Sequence, residues 1–221
     1  MKAMKKLSPK NKDQHGFTII ELMIATSVLS VILLLVTVMM ISIGGLFYKG
    51  INQSRVQDSV RSITDEVSHH LQLSGTTPLS GSYSGFGPPI SIYCVGDTRY
   101  SFIKNVQINS IVSGVFIYHV LWRDVPSGGC DPTQPSANLT IQDPSSGHES
   151  ATDSNAELIP PNSRLTEFSI TTPSPYNISV GIAYGANSLL NLAGINTTCK
   201  STTGDQFCAT ASLTTIVANR L

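Results

Sequence analysis

Residues 16–26 read Gly-Phe-Thr-Ile-Ile-Glu-Leu-Met-Ile-Ala-Thr, a glycine followed at once by an apolar run that holds one carboxylate, Glu21. A lone ionisable side chain inside such a run is costly in a bilayer and usually has both a partner and a function. Upstream, residues 1–15 contain five lysines and a single acidic residue, Asp13. The junction therefore separates a short basic segment from an apolar segment with one functional acid.

The apolar run is long enough to cross a bilayer. From Leu22 to Tyr48 there are 27 residues without a charged side chain, whereas a spanning helix needs about 20. A cleaved secretory signal has a shorter apolar core followed by its cleavage site, so we expect this run to be retained. The lysines on its amino-terminal side predict that this end stays in the cytoplasm and that the rest of the chain lies outside.

The junction resembles the class III signal of type IV prepilins and type II secretion pseudopilins. The resemblance implies that prepilin peptidase cuts between Gly16 and Phe17 and that residues 1–16 leave as a cytoplasmic leader. Phe17 would then carry the methylated terminal amine. Glu21 would become the fifth residue and pair with the first-residue amine of a neighbouring subunit during assembly. The likeness is specific over residues 16–26.

The predicted helix continues well beyond the membrane. No proline occurs between Pro9 and Pro78, and proline is the residue that most strongly interrupts a helix. The chain can therefore form one helix from about Phe17 to about Leu73. Its first part, residues 17–48, is expected to be the transmembrane and assembly segment.

Residues 49–74 carry a different pattern. Charged side chains reappear, and apolar residues recur at spacings of three and four, which predicts an amphipathic helix packed on a globular domain. The apolar stripe consists of Val56, Val60, Ile63, Val67 and Leu71. His69 and His70 lie near the end of this helix, where we expect them to be solvated rather than to bind a metal.

Residues 75–221 predict a β-rich domain outside the membrane. Runs with strand character occur at 90–95, 100–108, 115–125, 165–171, 176–184 and 211–219. The run at 115–125 is apolar on both alternating faces, so this strand should be central or covered on its second face. Residues 126–162 are polar and rich in turn residues, which indicates a long irregular loop. The resemblance implies an α+β, pilin-like fold, with the long helix packed on an antiparallel sheet.

The four cysteines all lie in the predicted globular domain. None forms a C-x-x-C pair, which argues against a zinc ribbon or a thioredoxin-type site. An even number of cysteines beyond a membrane segment favours disulfides, with free thiols as the alternative. Three connectivities are open. We favour Cys199–Cys208, which closes a short loop, and this leaves Cys94–Cys130.

Charge and motifs exclude several function classes. The chain has 14 basic and 14 acidic residues, and residues 75–221 hold six basic and nine acidic ones. This balance gives the domain no general attraction for nucleic acid. No G-x-S-x-G, P-loop or H-E-x-x-H motif occurs. We therefore expect no enzymatic activity, no cofactor and no metal.

These features favour a minor pilin or pseudopilin of a type IV pilus or a type II secretion filament, anchored in the inner membrane. The resemblance implies as partners prepilin peptidase, other pilin subunits and the inner-membrane assembly platform. A tip adhesin or DNA-uptake pilin, binding its ligand through residues 126–162, is the main alternative. A membrane-tethered enzyme is a third class.

Overall fold

A computed structural model describes residues 16–85, 87–112, 114–140, 155–191, 197–200 and 204–218. The leader residues before Gly16 and residues 141–154 of the predicted loop lie outside the described residues. The chain divides into two compact units, Met1–Gly44 and Gly45–Leu221. Each unit is described by itself below.

Helix α1 extends over Ile19–Ser74, in agreement with the single long helix that the sequence predicts. It ends where Gly75 adopts a positive φ of 61°, because a glycine just past the last turn takes the left-handed conformation that stops a helix. The five residues of the predicted apolar stripe are all buried. In the second unit, α1 therefore contributes one face to the core of the globular domain.

The β domain contains short strands and a few long ones. In chain order they are β1 (Leu79–Tyr83), β2 (Ile90–Val95), β3 (Thr98–Phe102), β4 (Ser110–Val112), β5 (Val115–Ile117), β6 (Leu121–Asp124), β7 (Ala156–Glu157), β8 (Ser163–Thr171), β9 (Tyr176–Tyr184), β10 (Leu190–Asn191), β11 (Thr198–Cys199) and β12 (Ala209–Val217). A short helix, α2 (Ala137–Thr140), and two 3₁₀ turns, Asn187–Leu189 and Asp205–Phe207, complete the described elements.

Within the described residues the strands form four antiparallel sheets. The largest has the order β1-β2-β3-β6-β7, and a second has the order β12-β9-β8. The hairpins β4-β5 and β10-β11 form the other two. One apolar cluster takes residues from α1 and from both larger sheets. The fold is thus α+β, with a long apolar amino-terminal helix and an antiparallel β domain, as expected.

One predicted strand is wrong in its extent. Residues 115–125 do not form a single strand but divide into β5, which pairs with β4, and β6, which pairs with β3. At the break the Glu157 carboxylate accepts hydrogen bonds from the backbone N–H of Val120 (2.9 Å) and Leu121 (3.0 Å). The Glu157 side chain thus takes the hydrogen bonds that a neighbouring strand would accept. The β pairing is interrupted here, although residues 115–125 favour β structure.

The strand predicted at 100–108 is also shorter than expected, since β3 ends at Phe102. Asn105 and Asn109 have positive φ values of 60° and 63°, a conformation that no strand residue adopts. The backbone N–H of Asn105 instead donates to the Leu165 carbonyl at 2.8 Å.

The start of the segment predicted as a loop covers one face of the largest sheet. We call residues 126–136 the strap. It is fixed to β2 by the Cys94–Cys130 disulfide and to β3 by Arg99 Nη1, which donates to the Gln134 carbonyl at 3.0 Å. A Cβ at Gly81 in β1 would overlap the Pro132 carbonyl group. Cross-strand register places Gly81, Cys94 and Arg99 on one face of the sheet.

Candidate processing and assembly site

The peptide bond predicted for cleavage lies in exposed, non-helical backbone. Gly16 and Phe17 are both exposed and precede the first residue of α1. Apart from Gly16 and its two chain neighbours, nothing lies within 4 Å of the position that a Cβ on Gly16 would occupy. The Phe17 side chain is 84% exposed. A peptidase can therefore reach this bond without unfolding a helix.

Thr18 and Glu21 form a capping box at the start of α1. Glu21 Oε2 accepts hydrogen bonds from the backbone N–H of Thr18 (3.0 Å) and from its Oγ1 (2.9 Å). The backbone N–H of Glu21 donates to Thr18 Oγ1 at 3.3 Å. These reciprocal bonds satisfy N–H groups that have no partner inside the helix. Our sequence prediction missed the role of Thr18, although its signal, a threonine three residues before a glutamate, is present.

The capping box fixes where the Glu21 carboxylate lies. It is held on the first turn of α1, at the positive end of the helix dipole, where a negative charge is favoured. The neighbouring side chains Ile20 and Leu22 are apolar and exposed. Among the described residues Glu21 forms no salt bridge. The carboxylate is therefore positioned at the helix end and surrounded by a surface suited to lipid or to another apolar helix.

The rest of the first unit is an exposed apolar helix. Of the described residues, α1 is the one helix long and apolar enough to cross a membrane, and no residue of its most apolar window is buried. Its serine and threonine hydroxyls donate to carbonyls of the preceding turn, as Thr37 does to Leu33 at 2.8 Å. These bonds give the hydroxyl groups the hydrogen-bond acceptors that lipid chains do not offer.

One comparison with known families gives a match. Residues 11–37 carry the prokaryotic N-terminal methylation motif. The match supports a type IV pilin-like protein, and together with the fold it favours a structural subunit over an enzyme. The motif implies processing by prepilin peptidase and assembly with other pilins in a membrane. No curated protein and no solved structure matches the chain.

All four cysteines belong to the unit Gly45–Leu221. They form two disulfides, Cys94–Cys130 and Cys199–Cys208, with Cα–Cα distances of 5.7 and 5.8 Å. Cys199–Cys208 is the pair that we favour for its short loop, and Cys94–Cys130 is the pair that this choice leaves. The first fixes the strap, and the second closes the loop between β11 and β12.

A polar cluster between α1 and the largest sheet was not predicted. His70 Nδ1 lies 2.6 Å from the hydroxyl of Tyr100, and Glu66 Oε1 lies 3.2 Å from Nη1 of Arg123. Burial, reinforced by the negative charge of Glu66, raises the pKa of Tyr100. Burial also lowers the pKa of His70. The expectation that His70 is solvated is therefore wrong, because Tyr100 on β3 faces the last turns of the helix.

The residues of this cluster are suited to holding α1 on the sheet. Its members are one acid, one histidine, one tyrosine and one arginine, and the described residues contain no group of three or more histidine, cysteine or acidic side chains that could hold a metal ion. The cluster connects α1 to neighbouring strands, because Tyr100 and Arg123 are cross-strand partners on β3 and β6. Its effect is to fix the helix on the sheet.

Proposed function

We propose that the chain is a minor pilin or pseudopilin, a membrane-anchored structural subunit of a type IV pilus or a type II secretion filament. The observation that carries the proposal is the arrangement at the amino-terminal junction. An accessible Gly16–Phe17 bond precedes a capped, exposed apolar helix within the methylation motif, and the helix holds a carboxylate on its first turn.

In this proposal the first event is removal of residues 1–16 at the cytoplasmic face. Hydrolysis of the Gly16–Phe17 amide gives the free amine of Phe17, which is then methylated. The lysines of the leader keep this end in the cytoplasm, so the globular domain lies outside the inner membrane. The domain forms disulfides there, in a compartment that permits them.

Mass spectrometry of the protein purified from membranes tests the cleavage. We expect the mature chain to begin with a methylated Phe17. In Gly16→Val a β-branched side chain at the cut site should leave the leader attached, whereas Glu21→Ala should still be cut. A mature chain that begins at any other residue would contradict the assignment.

The second event is assembly through Glu21. A carboxylate among apolar helices is costly when unpaired, and pairing with an amine recovers much of that cost. The amine of Phe17 in a neighbouring subunit is a suitable partner, since cleavage gives each subunit a free amine just before its helix. The pair would set the axial register between subunits.

Substitutions that separate capping from pairing test this role. Glu21→Ala should stay in the membrane but enter filaments poorly, because the amine of the neighbour loses its partner. Thr18→Val removes the capping hydroxyl and keeps the carboxylate, so it should assemble nearly as the wild type does. The measurement is the share of subunit in sheared filaments relative to membranes. Equal loss in both variants would show that Glu21 acts only as a helix cap.

A further inference from the structure

Three aromatic side chains lie together where the apolar run ends. The ring centroids of Tyr48 and Phe207 are 6.2 Å apart, and those of Phe47 and Tyr48 are 6.5 Å apart. Phe47 is 66%, Tyr48 56% and Phe207 50% exposed. We call these three residues the aromatic patch. Phe207 comes from the loop closed by the Cys199–Cys208 disulfide, 159 residues after Tyr48 in the chain.

Hydrogen bonds hold the backbone of Gly204, Gln206 and Phe207, although the Phe207 side chain itself is not buried. Asn52 Nδ2 donates to the Gln206 carbonyl at 3.1 Å and so ties the loop to α1. The backbone N–H of Phe207 donates to the Gly204 carbonyl at 3.0 Å. The next residue, Cys208, is 1% exposed. The protein therefore fixes the position of an aromatic ring and leaves half of its surface uncovered.

The position of the patch along the chain indicates what covers it. Tyr48 is the last residue of the 27-residue uncharged run, and Lys49 is the first charged residue after it. That run exceeds the roughly 20 residues needed to cross the hydrocarbon core, so its end lies at headgroup level. Aromatic rings are enriched at this level because one part of the ring lies in apolar surroundings while its edge or hydroxyl meets water.

We propose that the aromatic patch is a second contact of the subunit with the membrane. The turn Asp205–Phe207 rests on the bilayer that holds α1, and Phe207 enters the boundary between headgroups and acyl chains beside Tyr48. The ligand is the phospholipid interface itself, recognised by aromatic rings without a charge on the contacting side chains. The contact would orient the globular domain on the membrane before assembly. This inference rests on the proposed membrane anchoring by α1.

Tryptophan substitution in the full chain tests the contact. Phe207→Trp, Tyr48→Trp and Ile111→Trp are each reconstituted at low density in phosphatidylcholine vesicles with brominated acyl chains, which quench nearby indoles. Ile111 is a control outside the patch, 70% exposed on β4. The native Trp122 is 1% exposed and gives the common background. Absence of free thiols in each variant shows that all four cysteines are in disulfides, as they are in the native chain.

The expected result is a blue shift and a strong loss of emission for the new indole of Tyr48→Trp and of Phe207→Trp. The new indole of Ile111→Trp should be unaffected by the lipid and quenched by aqueous iodide. A different result would overturn the contact of Phe207 with the membrane: the lipid quenches the indole of Tyr48→Trp, while that of Phe207→Trp stays exposed to water. The membrane anchor would then remain supported.

Two further outcomes are informative. If the brominated lipid quenches neither Tyr48→Trp nor Phe207→Trp, the apolar run does not meet the lipid boundary at Tyr48, and the inference fails. A blue shift of Phe207→Trp only at high protein density would overturn the inference and assign the patch to contacts between subunits.

Discussion

The hydroxyl of Tyr100 and Nδ1 of His70 lie 2.6 Å apart and form a polar contact between the largest sheet and α1. The histidine is partly buried beside His69 on its own helix and faces Tyr100 and Arg123 on the sheet. Desolvation and the positive charges of Arg123 and His69 disfavour its protonated form, and Glu66 only partly offsets them. At neutral pH the ring is therefore neutral.

Acidification should destabilise the domain through His70. Because its pKa is lowered in the folded state, the unfolded chain binds the proton more readily. The stabilisation is complete above the unfolded pKa of about 6.5 and is lost as the pH falls through that value towards the folded pKa. Denaturant unfolding of the detergent-solubilised chain between pH 8 and pH 5 measures the effect.

Two variants make this measurement specific. His70→Gln should reduce the loss of unfolding free energy on acidification, since the titrating group is gone. His69→Gln removes an exposed histidine from the same turn and should stay close to the wild-type slope, because His69 is the smallest of the influences on the pKa of His70. Identical slopes in all three proteins would show that His70 does not control the acid sensitivity of the domain.

The sequence alone predicts the role of a residue where its side chain departs from a strong local pattern. Glu21 stands out because it is a lone acid in an apolar run, and the sequence shows this without a structure. Arg164 is different, because in the sequence it counts only among the charged residues. In the structure it is 1% exposed, and its guanidinium donates a hydrogen bond to the Gly185 carbonyl at 3.0 Å. Its burial depends on partners distant in sequence, which no local pattern reveals.

Among the elements, α1 shows how sharply one helix divides between core and solvent. Leu71 is fully buried, whereas Leu73, two residues later, is 69% exposed. Residues two apart on a helix point to different sides. The same residue type thus occurs in both environments within one turn.

A matched pair of alanine variants measures the contribution of this face. Leu71→Ala should lower the free energy of unfolding by about 2–5 kcal/mol, because it removes apolar surface and leaves a cavity. Leu73→Ala should change it by less than about 0.5 kcal/mol. Urea unfolding of the full chain in detergent gives both values. Similar losses in the two variants would mean that the stripe does not face the core.

Strand positions were predictable where the alternation of residues matches uninterrupted pairing. The run at 176–184 coincides with β9, which pairs along its whole length with β12. The run at 115–125 has the same propensity but is interrupted, because Glu157 from a distant segment binds the backbone at Val120 and Leu121. The β propensity of the residues indicates that a strand forms, whereas the length of the strand depends on the segment that pairs with it.

At the scale of the whole molecule, the two disulfides restrict the unfolded chain to different extents. Cys94 and Cys130 are 36 residues apart, and Cys199 and Cys208 are nine apart. In the chain-entropy model, closing the longer loop stabilises the fold by about 3.8 kcal/mol and the shorter one by about 2.6 kcal/mol. On this model, the disulfide of the strap contributes more to the free energy of unfolding than the Cys199–Cys208 disulfide does.

Paired serine substitutions measure these contributions. Cys94→Ser with Cys130→Ser should lower the free energy of unfolding more than Cys199→Ser with Cys208→Ser does. Urea unfolding of both proteins under oxidising conditions, with the wild type as reference, gives the comparison. A larger loss for the Cys199–Cys208 pair would show that native contacts, rather than loop length, dominate.

Besides the Cys94–Cys130 disulfide, the strap is attached through its own backbone. The Gln134 carbonyl accepts from Arg99, the Ser136 N–H donates to Ser101 Oγ at 3.0 Å, and the Pro132 carbonyl group lies against Gly81. Exposed side chains such as those of Ser127 and Gln134 are not needed for this attachment. Substitutions of these outward side chains should therefore leave the strap in place, so its outer surface can change while the sheet beneath it does not.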